Sequence, residues 1–359
     1  MIQINNSGCL YIFNLSTDLD NEILAFTHDW VEEFSHHFEK IHVYSTHLGR
    51  TNLPSNVFTH ELGGGNFRVR VMAVFKIFSA LNQIVFTSKN RFVFYHMNPR
   101  VASIISLPLR IIKVPQILWY SHANTTFALR IASKFVDSIV STSTFSFPLN
   151  TRKLISTGHG VRDLNIPRPN HIIPDYSISF LGRIAPIKRL ELLIQQVSIA
   201  QNFQNLRIKV YFIGPCEGSL NQHYRSTLLE LAGTEDVEVI FVGSILHENI
   251  QLELSKYDLA YNGTIQSIDK GAIESVYARC LLISDQKNTL IECGYGDLFI
   301  DEYGEALSIS QQLKLIYSLS HEQRIALTED ARIKTLSRHS LPSTIDKICK
   351  EFSRIMGIQ

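Results

Sequence analysis

The sequence predicts an α/β protein made of two doubly wound, Rossmann-like domains with a cleft between them. Apolar runs of strand length alternate with amphipathic stretches of helix length along the whole chain, as in parallel βαβ units. A length of 359 residues is enough for two cores of ordinary size. The polar, proline-bearing residues 162–175 interrupt the alternation. We therefore place the domains at residues 1–165 and 172–340, followed by a helix at 341–359 that packs back toward the first domain.

In the first half, short apolar runs end in polar residues and are separated by helix-like segments. Strands are predicted at Cys9–Leu15, Ile41–Thr46, Arg91–Tyr95, Gln116–Ser121 and Ser138–Thr142. Helices are predicted at Asn21–His36, Phe67–Ile84 and Val101–Ile112.

The same alternation restarts after the proline-bearing segment. Strands are predicted at Tyr176–Leu181, Ile208–Ile213, Val237–Val242 and Leu259–Asn262. Helices are predicted at Arg189–Ala200, His223–Ala232, Ile250–Lys256 and, in the tail, Thr344–Ile358. This second repetition predicts a second parallel sheet with its own core.

Composition excludes several classes of protein. The five cysteines are scattered singly, without the paired spacing of a zinc site or a disulfide framework. The N-terminus lacks a basic segment followed by an apolar one, so no secretory signal is predicted. No apolar run reaches the ~18 residues of a spanning helix. We expect a cytoplasmic protein that works in solution or at the inner face of the membrane.

Charge is distributed unevenly between the halves. Residues 1–170 carry 16 Lys and Arg against 10 Asp and Glu, and the remainder carries 18 against 23. A glycine turn beginning at Gly63 precedes a helix in which Arg68, Arg70 and Lys76 lie among apolar residues. This mixture suits contact with an anionic membrane. A solvated basic helix is the alternative.

Polar residues that follow strands mark candidate sites, because ligands of doubly wound sheets bind outside the carboxyl ends of strands. One strand ends in Gly182, and Arg183 and Lys188 follow just before a helix. Two cations near a helix N-terminus can clamp a diphosphate, since the free backbone N–H groups there already favour an anion. Surface salt bridges are the alternative explanation.

A second strand end continues into the loop Tyr261–Lys270 and then a helix bearing Glu274. N–H groups and hydroxyls of such a loop, including Thr264, can bind phosphate, and a carboxylate one turn into the helix can accept hydrogen bonds from a ribose diol. Alternatively, Ser267 or Asp269 merely caps the helix.

In this order the two segments resemble the donor half of the family-four retaining glycosyltransferases, which have the GT-B fold. The usual family signature has two glutamates with seven residues between them, and Gln266 stands at the first position. The segment is similar to a branch with the pattern S-x-D-K-x-x-x-E, which retains only the second glutamate. In the family the first glutamate helps to orient the donor sugar, so Gln266 changes the contact that is expected to that sugar. The resemblance implies a donor site formed by Gly182, Thr264, Gln266, Ser267, Asp269, Lys270 and Glu274.

Three places in the first half are candidates for the sugar or acceptor. His122 follows a strand within Trp119-Tyr120-Ser121-His122, which is similar to a segment bordering the sugar pocket in the same branch. His159 lies in a Gly-His-Gly turn that resembles the one closing the first domain of family members, although Arg162 stands where they continue with Asp. Asp18 and Asp20 follow the first strand and can contact acceptor hydroxyls. The alternatives are that His122 is structural, that His159 lies in a tight turn that needs glycine, and that Asp20 caps the next helix.

The resemblance implies metal-independent transfer of a sugar, with retention of configuration, from a nucleoside diphosphate sugar to a glycan or polyprenyl-linked acceptor in surface polysaccharide or glycoconjugate synthesis. Arg183, Lys188 and His122 would be the catalytic residues, with no cofactor, no metal and no nucleic-acid partner. UDP-sugars are favoured over GDP-sugars. The alternative is an inactive relative that binds a nucleotide-sugar or a partner enzyme. Gln266, in place of the first family glutamate, is the feature that favours this alternative. An oxidoreductase is disfavoured because the G-x-G-x-x-G fingerprint is missing.

Overall fold

The protein was analysed as a computed structural model, which describes residues 8–64, 67–87, 90–167, 176–204, 207–265 and 267–357. The chain divides into two compact units. Unit 1 comprises Met1–Arg162 together with His339–Gln359, and unit 2 comprises Asp163–Arg338. Each unit contains a parallel sheet with interleaved helices, which confirms the predicted α/β fold class.

The sheet of unit 1 has seven strands among the described residues, in the order β3-β2-β1-β4-β5-β6-β7. The strands are β1 Cys9–Thr17, β2 Lys40–Leu48, β3 Val57–Glu61, β4 Arg91–His96, β5 Gln116–Trp119, β6 Ser138–Ser141 and β7 Leu154–Ser156. Every paired register is parallel. The order reverses between β1 and β4, so the topological switch point lies there.

Helices cover both faces of this sheet. They are α1 Phe26–Ser35, α2 Phe67–Phe86, α3 Pro99–Ile111, α4 Phe127–Phe135 and, from the chain end, α13 Leu341–Ile355. Successive residues of a strand point to opposite faces. Tyr11 and Phe13 therefore pack with α2, α3 and α4, whereas Leu10 and Ile12 pack with α1 and α13.

The C-terminal helix belongs to the core of unit 1. Leu341, Ile345 and Phe352 of α13 are buried in the same cluster as Trp30 and Phe34 of α1. Backbone hydrogen bonds join Val161 to His339 and Leu341 to Val161. Burial of three large apolar side chains stabilises this docking by several kcal/mol, at about 2 kcal/mol for each.

The first helix starts later than its apolar pattern predicts. Residues 21–25 form turns, and α1 begins at Phe26 rather than Asn21. The Asn21 side-chain oxygen accepts hydrogen bonds from the N–H groups of Ile23 and Leu24. Asparagine stabilises such turns because its short side chain bonds the backbone two and three residues on. Asp20 therefore does not cap the helix.

Unit 2 has a five-stranded parallel sheet in its described part, in the order β10-β9-β8-β11-β12. The strands are β8 Ser177–Leu181, β9 Lys209–Ile213, β10 Glu238–Gly243, β11 Leu259–Tyr261 and β12 Leu281–Ile283. The helices are α5 Leu190–Gln204, α6 Ser219–Thr234, α7 Ile250–Leu254, α8 Lys270–Tyr277, α9 Lys287–Glu292, α10 Gly296–Phe299, α11 Ile309–Ser318 and α12 His321–His339. The strand order reverses between β8 and β11.

Several short elements were not predicted. The strand Val57–Glu61 is partly exposed and polar, and Leu154–Ser156 and Leu281–Ile283 have three residues each, so none carries a clear alternating pattern. Of the predicted linker 162–175, residues 168–175 lie outside the described part of the chain. No helix in the described ranges is long and apolar enough to cross a membrane.

Candidate functional site

The switch point of unit 2 collects most of the residues singled out in the second half. Because the strands are parallel, their carboxyl ends meet at one edge of the sheet. Gly182 and Arg183 follow β8, and Asn262 and the loop to α8 follow β11. These strands are neighbours on either side of the reversal, where doubly wound sheets bind ligands.

Glycines bring the backbone segments at this edge close together. A Cβ atom on Gly271, in the first turn of α8, would lie 2.4 Å from the carbonyl oxygen of Leu181. A Cβ atom on Gly214, which follows β9 at a φ of +134°, would lie 2.2 Å from the carbonyl oxygen of Gly182. Side chains at either position would push the strand ends apart. The edge is therefore built from close backbone contacts.

Lys188 ends a 3-10 turn, Pro186–Lys188, and its ammonium lies within a small polar cluster. It forms an ion pair with Asp269 and a 3.2 Å hydrogen bond to Thr264 Oγ1. The Thr264 hydroxyl donates to Asp269 Oδ2 at 3.1 Å. The structure thus brings together three predicted site residues that are 76 and 81 positions apart in the chain.

Arg183 differs from Lys188 in its surroundings. Its side chain is exposed, and the described residues give it neither a hydrogen bond nor an ion pair. Arg189, which sequence reasoning did not single out, adopts a left-handed φ of 54° and forms an ion pair with Asp285. Asp285 follows β12 by two residues, so its position after a strand was the available signal. Among the described residues that follow β8, Arg183 is a cation without an internal partner, whereas Lys188 is already paired with Asp269.

Glu274 lies on α8 and is only 2% exposed. Its Oε1 forms an ion pair with Lys270 one turn earlier, and His247 Nδ1 lies 3.9 Å from the same oxygen. Buried carboxylates require such partners because removal from water destabilises an isolated charge. His247, from the turn before α7, was not predicted as a site residue.

The helix-cap explanation for the loop before α8 is wrong. Asp269 occupies the N-cap position, but its side chain makes no capping hydrogen bond and pairs with Lys188 instead. Ser267 lies two residues earlier and is half-buried. Gln266 lies outside the described residues.

The switch point of unit 1 has different chemistry. Asn14, Thr17 and Ser45 are buried and form a closed ring of hydrogen bonds of 2.6 to 2.8 Å. Asn98, after β4, donates to the carbonyl oxygen of Asn14 at 3.2 Å. Mutual hydrogen bonding stabilises buried polar groups. The network is neutral, and sequence reasoning missed it, although polar residues inside an apolar strand were a visible signal.

The acidic residues after β1 are bound to a neighbouring loop. Asp18 accepts hydrogen bonds from the Arg50 and Asp20 backbone N–H groups and lies 3.3 Å from His47 Nε2. Asp20 forms a bidentate ion pair with Arg50, which lowers the pKa of its carboxyl group. These contacts hold the loop after β1 to the loop after β2.

The two predicted histidines of unit 1 have opposite exposures. His122 is exposed after β5, and its Nδ1 accepts the N–H of Asn124. His159 is buried in a turn between Gly158 and Gly160, whose φ angles are +92° and +66°. The turn therefore requires glycine on both sides of His159. This geometry is that of the tight glycine turn given as the alternative for His159. Of the two, only His122 faces solvent.

A third histidine, His96, is buried at the end of β4. Its ring stacks on Trp119 at 4.7 Å and lies 4.9 Å from Trp30. Burial, with a smaller effect of His159, lowers the pKa of His96 to about 3. It is therefore neutral at physiological pH.

One group of side chains has a composition suited to a metal ion. His28, Asp29 and Glu32 of α1 place their ligand atoms within 4.8 Å of one another. However, His28 Nε2 accepts the backbone N–H of Asn52, and the guanidinium of Arg162 pairs with both carboxylates. The group is thus an internal ion-pair network.

No protein-family model matches the sequence, and no curated protein does. Solved structures do match. A glycosyltransferase from Rickettsia africae has a TM-score of 0.72 at 11% identity, covering 98% of this chain and 100% of its own. Anabaena HepE in complex with UDP and glucose has a TM-score of 0.69 at 12% identity, and the match covers 97% of this chain and 100% of HepE. The α,α-trehalose 6-phosphate synthase of Burkholderia multivorans has a TM-score of 0.69 at 11% identity, and the match covers 98% of this chain and 99% of the synthase.

The chain has the GT-B fold. At these identities the likeness establishes the fold, and it spans nearly the full length of each matched structure. The matched structures include a glycosyltransferase, HepE and a trehalose 6-phosphate synthase, and a shared fold does not fix the function, which must be argued from the site.

Proposed function

We propose that the protein transfers a sugar from a nucleoside diphosphate sugar, with the donor bound at the carboxyl edge of the unit 2 sheet. The observation that carries the proposal is the cationic switch point, with Lys188 held by Thr264 and Asp269 and the exposed Arg183 beside β8. A donor diphosphate suits a place that combines the unpaired Arg183 guanidinium, the Lys188 ammonium shared with Asp269, a hydroxyl and glycine backbone. The fold shared with glycosyltransferase structures supports the same assignment.

In the proposed reaction the bond between the anomeric carbon and the diphosphate oxygen breaks while the acceptor hydroxyl bonds to the same face of that carbon. The hydroxyl proton passes to the departing phosphate oxygen, and the nucleoside diphosphate is released. Negative charge grows on the diphosphate as the bond breaks, so Arg183 and Lys188 stabilise the transition state more than the ground state. These cations supply charge stabilisation without a divalent ion.

We propose the remaining donor contacts for residues near the same strand ends. We assign the donor ribose to Glu274, whose carboxylate pairs with Lys270 on α8 and can accept hydrogen bonds from a diol. Gly182 and Ser267 border the same edge of the sheet, and Gln266 is assigned to the donor site from the sequence alone. We favour UDP as the nucleotide, since HepE was solved with UDP and glucose.

On the acceptor side, we propose that His122 contacts a sugar hydroxyl, because its exposed ring follows β5 at the carboxyl edge of the unit 1 sheet. Asp18, Asp20 and His159 make internal contacts. We propose a glycan or polyprenyl-linked molecule as the acceptor.

Calorimetric titration with UDP, GDP, ADP and their glucose conjugates tests the donor site. We expect selective binding of one nucleotide, with affinity reduced at least about tenfold in Arg183→Ala and in Glu274→Ala, since loss of one charged hydrogen-bonding partner removes about 1.5 to 3 kcal/mol. Arg207→Ala is the matched control, because Arg207 is exposed before β9, at the opposite edge of the same sheet.

Absence of nucleotide binding in folded wild-type protein would contradict the proposed site. Selective binding without turnover, measured as release of nucleoside diphosphate, would instead support the inactive nucleotide-sugar binder. That alternative is specifically favoured by Gln266 at the position of the first family glutamate.

A further inference from the structure

Helix α2 is apolar on two opposite sides. Ile77, Ala80 and Ile84 are buried against the sheet of unit 1, whereas Phe75 and Phe86 are 71% and 85% exposed. A helix that is apolar all round is normally covered on all sides. No described residue covers the outer side of α2 at Phe75 and Phe86, and both phenylalanines face solvent.

The next helix repeats this arrangement. Arg100, Ile104, Leu107 and Ile111 of α3 are exposed at spacings of four, three and four residues, so they form one stripe along the helix. The stripe lies opposite the buried residues of α3. Helix α4 begins with Phe127, which is 79% exposed.

These exposed residues belong to a single surface. Helices α2, α3 and α4 contribute to the same core on one side of the sheet, so their outer sides form one layer, here called the α2–α4 face. It contains the exposed apolar residues Met72, Val74, Phe75, Phe78, Val85, Phe86, Ile104, Leu107, Ile111 and Phe127. Many large apolar side chains exposed on neighbouring helices are typical of an interaction site.

The charge of this face has one sign. No Asp or Glu occurs between Glu61 and Asp137, a stretch that contains ten Lys and Arg residues. Five of these cations are exposed on the described helices, namely Lys76, Arg100, Arg110, Arg130 and Lys134. Lys76 and Arg110 donate to backbone carbonyls. Within the described ranges none of the five forms an ion pair, although Arg110 lies near enough to Asp137 to favour its charged form.

The opposite side of the same sheet is neutralised internally. Lys350 pairs with Asp346 and Arg354 with Glu351 on α13, and Arg162 pairs with carboxylates of α1. These cations are paired with carboxylates, whereas the five described cations of the α2–α4 face form no ion pair. The coincidence of those five cations with exposed aromatic and aliphatic residues is the observation that requires an explanation.

We propose that the α2–α4 face docks on a lipid bilayer containing anionic headgroups. The apolar side chains enter the boundary between headgroups and acyl chains, and the cations contact lipid phosphates. Symmetric pairing with a second copy is disfavoured, because it would place the like charges of the two faces against each other. The inference does not depend on the proposed sugar transfer, since it involves none of the residues assigned to the donor.

Cosedimentation of the full-length protein tests the proposal with vesicles of phosphatidylcholine alone and vesicles that also contain phosphatidylglycerol. We expect binding to the anionic vesicles that weakens as salt screens the charges. The variant Arg130→Glu/Lys134→Glu should bind at least about twentyfold more weakly, since each basic residue near an anionic surface contributes about fivefold in affinity. Both side chains are exposed, so the fold should be retained.

The apolar contribution is tested with Phe75→Ser/Phe86→Ser, which we also expect to bind more weakly. The matched control is Phe203→Ser, which removes a phenylalanine that is 81% exposed on α5 of unit 2. In a third variant, Phe75→Trp, brominated lipid should quench the new tryptophan. Trp30 and Trp119 are buried and should not be quenched.

Wild-type protein that remains in the supernatant with anionic vesicles at low salt would overturn the proposal. Equal loss of binding in Phe203→Ser would also overturn it, because the effect would not be specific to the face. A dimer in analytical ultracentrifugation that Phe75→Ser/Phe86→Ser abolishes, without vesicle binding by wild type, would assign the face to self-association instead.

Discussion

The two sheets of the chain reverse their strand order in the same way but carry opposite chemistry at the reversal. In unit 1 the carboxyl ends of β1 and β4 are closed by the neutral network of Asn14, Thr17, Ser45 and Asn98. In unit 2 the ends of β8 and β11 carry Lys188 in an ion pair and an exposed Arg183.

Topology determines where a ligand crevice lies in each sheet, whereas the side chains determine its charge. Topology places a crevice at the reversal in either sheet. Hydrogen-bonded neutral groups fill that position in unit 1, whereas charged groups with capacity for an anion occupy it in unit 2. The two units also differ in the pKa values of their histidines. Every described histidine with a lowered pKa belongs to unit 1, and these are His28, His42, His60 and His96.

The largest expected effect concerns the exposed Arg183 at the switch point of unit 2. We expect Arg183→Ala to lower the transfer rate by about a hundredfold to a thousandfold, as does removal of one group that stabilises transition-state charge. The rate of nucleotide release from a UDP-sugar measures this. Arg207→Ala serves as control, and an unchanged rate in Arg183→Ala would remove the distinction between the two switch points.

The second prediction concerns pH and unit 1. Burial lowers the pKa of His96 to about 3 and that of His42 to about 4. Below the unfolded pKa of about 6.5 the unfolded chain binds protons that the folded unit does not, so stability falls as pH decreases. For His96 the loss is about 3 kcal/mol between pH 6.5 and 4.

Fluorescence follows this loss in unit 1 alone, because both tryptophans, Trp30 and Trp119, belong to it. Denaturant unfolding at a series of pH values should show a shallower pH dependence in His96→Gln than in wild type. His36→Gln, at an exposed histidine, should leave the slope unchanged. A slope that His96→Gln does not alter would contradict the assignment.

The third prediction separates stability from binding at Lys188. Lys188→Met leaves the mostly buried Asp269 carboxylate without its cation, so we expect unit 2 to lose about 2 kcal/mol of unfolding free energy, less than for a fully buried pair. The double variant Lys188→Met/Asp269→Asn should recover most of that stability but not nucleotide affinity. Calorimetry and denaturant unfolding followed by circular dichroism measure both quantities. Recovered affinity would show that Lys188 acts only as a structural partner.

The smallest effect is expected at the neutral switch point. Thr17→Val removes the hydroxyl that bonds Asn14 and Ser45, and we expect a loss of about 1 to 2 kcal/mol in unit 1. Nucleotide affinity should stay within about twofold of wild type, since unit 2 retains its charges. Tryptophan fluorescence and calorimetry are the measurements. A large loss of affinity would contradict the view that this edge is structural.

The sequence by itself determined the fold class, because alternating apolar runs and helical periodicity are local properties that each segment carries. It also predicted the elements that hold the candidate donor site. It did not predict the strands β3, β7 and β12 or the helices α4 and α9 to α12. Strands β7 and β12 have only three residues each, and α9 and α10 only six and four, so these segments show too few periods. Helix α12 has 19 residues but is rich in charged side chains, which obscure its apolar pattern. The start of α1 at Phe26 was likewise missed, because Asn21 forms turns with its own backbone.

For the site, the sequence marked Arg183, Lys188, Thr264, Asp269 and Glu274 as polar residues at strand and helix ends. Only the tertiary structure decided which of them meet. Lys188 and Asp269 are 81 positions apart and pair because β8 and β11 are neighbours in the sheet. Burial also depends on residues distant in sequence, so the neutral His96 and the uncovered apolar face of α2–α4 became visible only when the helices and strands packed.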